Sequence, residues 1–293
     1  MPELPEVETI RLGLNKIVTG KVIKRVIIYW PKTFNYPTKY IQEKLSKSRL
    51  LSLNRRGKLL IIELSNKYYL LIHLKMTGQI IYKDQKIRFG AGHPNDSFMS
   101  KMPDKTTRVE ILFEDGSRIY FNDQRKFGWI KLLNRTEYAN FSFLNNLGPE
   151  PLSKEFNLEQ LKGRINIRPN SMIKAVLLDQ KIIAGLGNIY VDESLWMAKI
   201  HPKTLVKNIS KSKLKKLYES IVSILNFSIM QGGASDRNYL DVNGQKGSFT
   251  KFAQVYKRKD QPCTRCGHKI IKIRVAGRGT HICPNCQKLI FRA

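Results

Sequence analysis

The first eight residues combine a candidate nucleophile with candidate acid/base groups. The chain begins MPELPEVETI, and removal of Met1 would expose Pro2 as a free secondary amine. An α-amino group is about two pK units less basic than lysine, so more of it is neutral near pH 7. Such an amine attacks an electrophilic carbon, and its cationic iminium adduct promotes elimination while the carboxylates of Glu3 and Glu6 move protons. The alternative is structural: Pro2 and Pro5 stiffen the start of a helix whose dipole the glutamates favour.

All four cysteines lie within the last 31 residues, which favours a metal site over disulfides. They form two C-x2-C pairs sixteen residues apart: Cys263, Cys266, Cys283 and Cys286. Two such pairs place four thiolates around one ion, and closed all-sulfur sites of this kind are structural zinc sites. A disulfide pair or a redox C-x2-C is the alternative, and His268 and His281 are candidate substitutes for one ligand.

The charge of the chain restricts its partners. Lysine and arginine number 52 against 23 aspartates and glutamates, which gives a net charge of +29. This excess predicts a polyanionic partner. Nucleic acid is favoured over an anionic membrane because the basic residues are spread along the whole chain, although a merely lysine-rich composition is an alternative. The apolar runs are too short to span a bilayer, and we expect a monomer in the cytoplasm, associated with a bacterial nucleoid.

The candidate catalytic groups need a rigid frame, and the first part of the chain predicts one. Apolar residues recur at helical spacing just after the N-terminal prolines: Val7, Ile10, Leu14 and Ile17. Short β-branched runs follow, and Asp115-Gly116 lies between two alternating runs as a hairpin turn does. A segment rich in Gly, Pro and Asn at 90–105 predicts a loop. We therefore expect an antiparallel β domain with a leading helix at 1–135.

The rest of the chain predicts helices followed by the cysteine segment. LGPEPLS at 147–153 is typical of a linker. Helical patterns follow at SMIKAVLLDQ, at NIYVDESLWMAK and at 214–225, the last ending at Gly232-Gly233. We expect a first domain at 1–135, a linker at 136–155, a helical domain at 156–235, and a loop followed by the zinc-binding cysteine segment at 236–293.

Two positions in this second half are candidate phosphate anchors. Gly185 and Gly187 precede a helix with Asn188 near its N-cap, so free backbone N–H groups there would attract a phosphate. An ordinary Asn cap is the alternative. Between the cysteine pairs, KIIKIRVAGRGTHI alternates as a hairpin does and puts Arg278 at its tip. That arginine suits insertion along a duplex, or it is a solvated turn residue. Glu193 has packing as its default role.

Six motifs occur along the chain in one order: PELPEVET at 2–9, RRGKLL at 55–60, HLKMTG at 73–78, DQRKFG at 123–128, GLGNIYVDE at 185–193, and the four cysteines. This set resembles the formamidopyrimidine-DNA glycosylase (Fpg/MutM) family over essentially the entire chain. The resemblance implies an α+β fold of two domains: an N-terminal antiparallel β-sandwich flanked by helices, and a C-terminal helix–two-turns–helix domain with a zinc finger. It also implies one structural zinc ion and duplex DNA containing damaged bases or abasic sites as the partner.

The same resemblance implies a bifunctional base-excision enzyme. Such an enzyme extrudes an oxidised purine (8-oxoguanine or a formamidopyrimidine), cuts the glycosidic bond and nicks the strand by β,δ-elimination through a Schiff base. Pro2 is then the nucleophile at the sugar C1′, and Glu3 protonates the opened sugar oxygen. Glu6 supports the N-terminal site, and Lys58 contacts the damaged base or its phosphate and assists catalysis. The resemblance also assigns Arg278 to the catalytic residues.

Other implied residues contact DNA. Base extrusion leaves a gap in the stack that costs a few kcal/mol unless side chains fill it. Met76, Arg125 and Phe127 match the family's void-filling trio, although without the resemblance Met76 and Phe127 would be assigned to the core. Further DNA contacts are implied for His73, Arg108, Asn188 and Arg278.

Three departures from the family pattern concern these contacts. The family often has a His where this chain has DKTTRVE, so the phosphate contact of that His is either lost here or moved to Arg108. Gly277 replaces the usual Gln of AQRGTH, and the loop expected to close over the base, at about 233–247, carries Ala-Ser-Asp. The related endonuclease VIII-like branch prefers oxidised pyrimidines. A lesion-shifted enzyme, a non-catalytic protein that binds damaged DNA and a zinc-ribbon RNA-binding factor are therefore the alternatives.

Overall fold

A computed structural model describes residues 1–92, 101–234 and 249–289. The chain divides into two compact units. The N-terminal unit comprises Met1–Asn145 and Gln231–Ser248, and the C-terminal unit comprises Asn146–Met230 and Phe249–Ala293. The predicted linker at 136–155 spans the first boundary between the units and contains helical residues on its N-terminal side.

The N-terminal unit contains two antiparallel sheets flanked by helices. Its elements are α1 (Leu4–Val18), β1 (Ile23–Ile28), α2 (Thr38–Leu45), β2 (Leu50–Arg56), β3 (Leu59–Leu64), β4 (Tyr68–His73), β5 (Gly78–Lys83), β6 (Arg88–Gly92), β7 (Thr107–Phe113), β8 (Arg118–Asp123), β9 (Trp129–Asn134), α3 (Arg135–Ala139) and α4 (Ser142–Asn145). One sheet has the strand order β1-β7-β8-β5-β6, and the other has the order β2-β3-β4-β9. This is the predicted β-sandwich, and a single apolar core joins both sheets to α1 and α2.

The leading helix forms where its apolar spacing predicted it. Val7, Ile10 and Leu14 are each at most 2% exposed and face the core of the unit. Burial of side chains of this size contributes about 1.5–3 kcal/mol each, so the core fixes α1 firmly. The hairpin turn at Asp115-Gly116 is confirmed as well, since it joins the paired strands β7 and β8.

The prediction of a loop at 90–105 was wrong for its first residues. Strand β6 continues to Gly92 and pairs with β5, with Gln79 opposite Gly92. Gly92 has a φ of +128°, and a Cβ there would lie 2.4 Å from the carbonyl oxygen of Gly78. The glycine that suggested a loop is therefore required by close strand pairing. Residues 93–100 lie outside the described residues.

The C-terminal unit contains helices and one small hairpin. Its elements are α5 (Leu158–Asn166), α6 (Ile173–Leu178), α7 (Asn188–Met197), α8 (Lys211–Met230), α9 (Phe249–Phe252), β10 (Ile271–Val275) and β11 (Arg278–Ile282). The three predicted helices are confirmed as α6, α7 and α8, and the hairpin between the cysteine pairs is confirmed as β10 and β11. Within the described ranges, none of the helices combines the length and apolar character needed to cross a bilayer.

Candidate active site and nucleic-acid contacts

The N-terminus holds two buried carboxylates close to Pro2. Pro2 is buried, whereas Met1 is 40% exposed. Glu3 is the N-cap of α1, and its backbone N–H donates to Oε2 of Glu6 at 2.7 Å. Glu3 and Glu6 are only 4% and 5% exposed. The two interpretations of the N-terminus are therefore compatible. The residues that stiffen the start of α1, with Pro5 in its first turn, also bring the two carboxylates together.

Glu6 also joins the N-terminus to the start of the predicted closing loop. Its Oε1 accepts a hydrogen bond from the backbone N–H of Ala234 at 2.7 Å. The preceding Gly233 has a φ of +85°, and a Cβ there would lie 3.0 Å from the same Oε1. Glycine is thus required at 233 by conformation and by the close carboxylate. The remainder of the predicted closing loop, from residue 235, lies outside the described residues.

Lys58 follows a turn that a charged network fixes. It comes directly after Gly57, whose φ is +58°, and it is 8% exposed. Arg55 donates to the Gly57 carbonyl and to the Glu8 carboxylate, both at 2.9 Å. Burial alone would raise the pKa of Glu8, but hydrogen bonds from Arg11 and Arg55 lower this pKa below its ordinary value. The ionised Glu8 therefore anchors the turn that carries Lys58 to α1.

His73 is a buried, neutral donor near Lys58. Its Nδ1 accepts the backbone N–H of Lys75 at 3.0 Å, so the ring proton resides on Nε2. The ring packs against Trp129 and Phe143 and is 6% exposed. Burial, followed by the charges of Lys75 and Lys58, lowers the pKa of His73 to about 3. His73 consequently offers a neutral N–H group across the physiological pH range.

The residues matched to the void-filling trio lie on the surface. Met76 is 37% exposed and Phe127 is 51% exposed, so neither belongs to the core. The guanidinium carbon of Arg125 lies 4.6 Å from the centroid of the Phe127 ring, within cation–π range. Exposed large apolar side chains beside an arginine suit contact with nucleobases.

Arg108 is partly engaged inside the protein. Its Nε donates to the Asp123 carbonyl at 2.8 Å, and one terminal nitrogen donates to the Lys105 carbonyl at 3.2 Å. Burial lowers its pKa below the ordinary value, against the opposing charges of Asp123 and Asp104. These bonds hold the end of β8, and the phosphate contact of Arg108 stays a prediction.

Asn188 and Arg278 both belong to the C-terminal unit. Gly187 is the N-cap of α7, and Asn188 is the first helical residue, so Asn188 does not cap the helix itself. Its amide donates to the carbonyl of Gly279 at 3.0 Å, next to Arg278 in the hairpin. Ala276 and Gly277 make the turn with φ of +49° and +72°. Glycine adopts such a φ without strain, so the departure at 277 is compatible with the β10–β11 turn.

A buried ion pair that was not predicted from the sequence ties the β10–β11 hairpin to α6 and α7. Lys174 and Asp192 are fully buried, and their Nζ and Oδ1 are 2.5 Å apart. Lys174 also donates to Thr280 at 2.7 Å, and the other oxygen of Asp192 accepts the backbone N–H of His281 at 2.9 Å. The sequence does contain one indication of this pair: a lysine and an aspartate occupy positions whose apolar neighbours predict burial.

Glu193 is a backbone anchor. Its carboxylate accepts the backbone N–H groups of Gln254, Val255 and Tyr256 at 2.8–2.9 Å and is almost fully buried. Glu193 therefore has a more specific role than the packing expected from the sequence. The carboxylate fixes the segment that leads from α9 into the first cysteine pair.

The four cysteines form one site. Their sulfurs lie within 4.8 Å of one another, with pairs at 4.0, 3.4 and 3.5 Å. A tetrahedral ion with Zn–S bonds of 2.3 Å requires sulfur separations of about 3.8 Å, so the donor set fits zinc. His268 is exposed, and His281 faces Asp192 with Nδ1 at 3.7 Å, so neither replaces a cysteine. The finger therefore has an all-cysteine site for one structural zinc ion.

The finger is also supported by an aromatic side chain. Arg265 lies over the ring of Trp196 on α7 at 4.0 Å, and Trp196 packs with Val255 and Ile270 against the cysteines. Burial raises the pKa of Cys283 to about 12. Zinc is bound by thiolates, so binding at this site releases protons.

Three family domains match the chain in order. Residues 1–130 match the formamidopyrimidine-DNA glycosylase N-terminal domain, residues 147–239 match its H2TH domain, and residues 260–289 match a zinc finger found in FPG and IleRS. The formamidopyrimidine-DNA glycosylase of Bacillus cereus strain ATCC 10987 is 39% identical over 99% of this chain and 100% of the relative. The protein of that name from Enterococcus faecalis is 38% identical over 99% and 98%, respectively.

Solved structures show the same similarity. The complex of Lactococcus lactis Fpg with DNA containing an abasic site has a TM-score of 0.85 and 34% identity, covering 98% of this chain and 99% of that one. A structure of MutM with DNA containing carbocyclic 8-oxo-G has a TM-score of 0.84 and 35% identity, covering 98% and 100%. Domain order, full-length identity and fold agree, and the chain therefore belongs to the formamidopyrimidine-DNA glycosylase family.

Proposed function

We propose that this protein is a bifunctional DNA glycosylase and abasic-site lyase that removes oxidised purines from duplex DNA in base-excision repair. The single observation that carries the proposal is the buried cluster at the N-terminus, where Pro2 is followed by Glu3, whose N–H donates to the buried carboxylate of Glu6. The DNA glycosylase activity is supported by the named relatives, and damaged DNA is the ligand of the compared structures. Because the compared relatives are bacterial, we place the activity on chromosomal DNA in the cytoplasm of a bacterium.

The reaction begins when the Pro2 amine, freed by removal of Met1, attacks C1′ of the damaged nucleotide. The bond from C1′ to the base breaks, and the base leaves with the electron pair and takes up a proton. Glu3 delivers a proton to the ring oxygen as the sugar opens, which leaves an iminium between Pro2 and C1′. The iminium acidifies the adjacent C–H bonds, so the 3′ phosphate and then the 5′ phosphate are eliminated. Water finally hydrolyses the adduct and regenerates the amine.

Neighbouring groups orient these steps. Glu6 holds the backbone at Glu3 with one oxygen and the start of the closing loop with the other. Lys58 and the neutral His73 supply a cation and an N–H donor near each other for the damaged base or an adjacent phosphate. Because His73 is already neutral, its contact does not titrate between pH 5 and 8.

The DNA contacts divide between the two units. In the N-terminal unit, Met76 and Phe127 replace the lost stacking, and Arg125 pairs with the orphaned cytosine. In the C-terminal unit, Asn188 and Arg278 bind the backbone beside the lesion. The net charge of +29 adds a sequence-independent attraction that weakens with salt. Zinc takes no part in the chemical steps and only stabilises the hairpin that carries Arg278.

A lesion panel with a nucleophile variant tests this proposal. We expect the Met-processed protein to cut duplex with 8-oxoguanine opposite cytosine faster than duplex with thymine glycol. Pro2→Gly should lower strand cleavage by at least a hundredfold and change duplex affinity by less than threefold. Faster excision of thymine glycol would instead assign the protein to the pyrimidine-preferring branch. Binding without any cleavage by the processed wild type would assign it to non-catalytic recognition.

A further inference from the structure

The proposed void-filling residues come from two separate loops that one buried pair joins. Met76 lies between β4 and β5, whereas Arg125 and Phe127 lie between β8 and β9. The hydroxyl of Thr77, directly after Met76, donates to Oδ1 of Asp123, the last residue of β8. Both side chains are buried, with Thr77 6% exposed and Asp123 1% exposed. Such a hydroxyl–carboxylate bond is shielded from water.

The same two side chains also bind the backbone of the 124–127 loop. Oγ1 of Thr77 accepts the N–H of Arg125 at 3.0 Å, and Oδ1 of Asp123 accepts the same N–H at 3.2 Å. The second oxygen of Asp123 accepts the N–H of Gly128 at 2.6 Å. Both ends of the loop between Asp123 and Gly128 are therefore attached to one carboxylate.

Each loop contains a strained residue directly before an exposed apolar side chain. Lys75 precedes Met76 with a φ of +50°, and Lys126 precedes Phe127 with a φ of +58°. Left-handed backbone is unfavourable for lysine and persists where surrounding bonds impose it. Lys75 is held by its N–H bond to His73, and the Lys126 ammonium lies 3.9 Å from the Trp30 ring centroid. The loop that carries Met76 and the loop that carries Phe127 are each held in a strained conformation. We therefore expect a shared anchor to fix the position of one loop relative to the other.

We propose that Thr77 and Asp123 are positioning residues that assemble the two loops into a single preformed wedge before DNA is bound. This inference rests on the proposed void-filling role of the trio and goes beyond it, because neither Thr77 nor Asp123 is exposed to touch DNA. Preassembly removes the need to order two loops during base extrusion. Loss of the pair therefore slows extrusion-dependent steps and leaves the chemistry at Pro2 unchanged.

Two variants at one position separate these effects. Thr77→Val keeps the shape and removes the hydroxyl, and Thr77→Ser restores the hydroxyl. We expect Thr77→Val to slow excision from paired duplex about tenfold or more, the equivalent of one charge-assisted hydrogen bond. Cleavage of an abasic site in single-stranded DNA, which needs no wedge, should change less than twofold. Thr77→Ser should recover at least half of the wild-type excision rate.

The matched control is Ser117, which directly precedes the first residue of β8. Ser117 is 2% exposed, and its hydroxyl donates to Asp115 at 2.6 Å. Ser117→Ala therefore removes a hydroxyl–carboxylate bond next to the same strand but away from the two loops, and we expect excision within twofold of wild type. Equal losses in Ser117→Ala and Thr77→Val would overturn the proposal in favour of general destabilisation.

Wedge insertion is measured directly with 2-aminopurine placed next to the lesion. We expect a fast fluorescence rise in the wild type and a rise at least five times slower in Thr77→Val. An unchanged rise in a folded Thr77→Val protein would overturn the positioning role alone. Cleavage by the wild type without any rise would reject the void-filling role itself and the wedge with it, so the two failures are distinguishable.

Discussion

The two units hold their functional side chains by different means. In the N-terminal unit, the loops that carry Met76, Arg125 and Lys58 extend from two sheets whose large apolar core fixes the strands. In the C-terminal unit, the hairpin that carries Arg278 has a small core made partly of the metal-binding cysteines. In the N-terminal unit, local hydrogen bonds are enough to orient a side chain on such a loop. The hairpin of the C-terminal unit needs an ion and a buried ion pair because so small a segment cannot bury enough apolar area.

Removal of a zinc ligand should have the largest effect and should be confined to the C-terminal unit. Cys283→Ser breaks the site, and structural zinc contributes about 10 kcal/mol or more to small domains of this kind. We expect loss of zinc by mass spectrometry, collapse of the β10–β11 hairpin and at least a tenfold loss of duplex affinity. Full affinity in the zinc-free variant would show that the hairpin is held by other means.

The buried ion pair provides the next largest test. Lys174→Met leaves Asp192 buried and unpaired, so we expect a loss of about 3–5 kcal/mol in the free energy of unfolding of the C-terminal unit. Lys174→Met with Asp192→Leu should recover part of that loss, measured by urea unfolding. The exposed pair Lys162–Glu159 at 3.1 Å is the control, and Lys162→Met should cost less than about 1 kcal/mol. Equal costs for the two lysines would contradict the account.

A glycine pair tests whether Glu6 connects the closing loop to the N-terminal site. Gly233→Ala meets both a positive φ and the Glu6 carboxylate, whereas Gly20, with a φ of +87°, has open space around its Cβ. Both substitutions should cost about 1–2 kcal/mol of stability from backbone strain. Only Gly233→Ala should slow excision, by about tenfold, and single-turnover kinetics on both variants measures this. Equal excision rates would argue against the connection.

Much of the frame was predictable from the sequence, because it rests on local patterns. Helical spacing of apolar residues predicted α1, and Asp115-Gly116 predicted the β7–β8 hairpin. The spacing of the cysteines predicted the zinc site. The partners of charged and polar groups were not predictable, since Thr77 and Asp123 are 46 residues apart and Lys174 and Thr280 are 106 apart. Only folding brings such groups together. Motif resemblance located the exposed Met76 and Phe127, whereas composition had placed them in the core.

Near neutral pH, histidine titration should have the smallest effect, because His73 is then uncharged in both the folded and the unfolded chain. Burial holds the pKa of His73 at about 3, against 6.5 for an exposed histidine. Below pH 6.5 the unfolded chain therefore binds a proton that the folded chain does not, and stability falls as the pH is lowered from 6.5 towards 3. The slope from this residue is at most about 1.4 kcal/mol per pH unit. His73→Asn should flatten that part of the urea-midpoint profile, whereas an unchanged profile would place the acid sensitivity elsewhere.

The identity of the nucleophile is the central claim, and borohydride trapping tests it most directly. The Met-processed protein is incubated with borohydride and duplex that carries 8-oxoguanine opposite cytosine, digested, and mapped by mass spectrometry. We predict one DNA-sized adduct on the peptide that begins with Pro2, and its loss in Pro2→Gly. An adduct that maps to Lys58 or to another lysine, with Pro2 unmodified, would contradict the account.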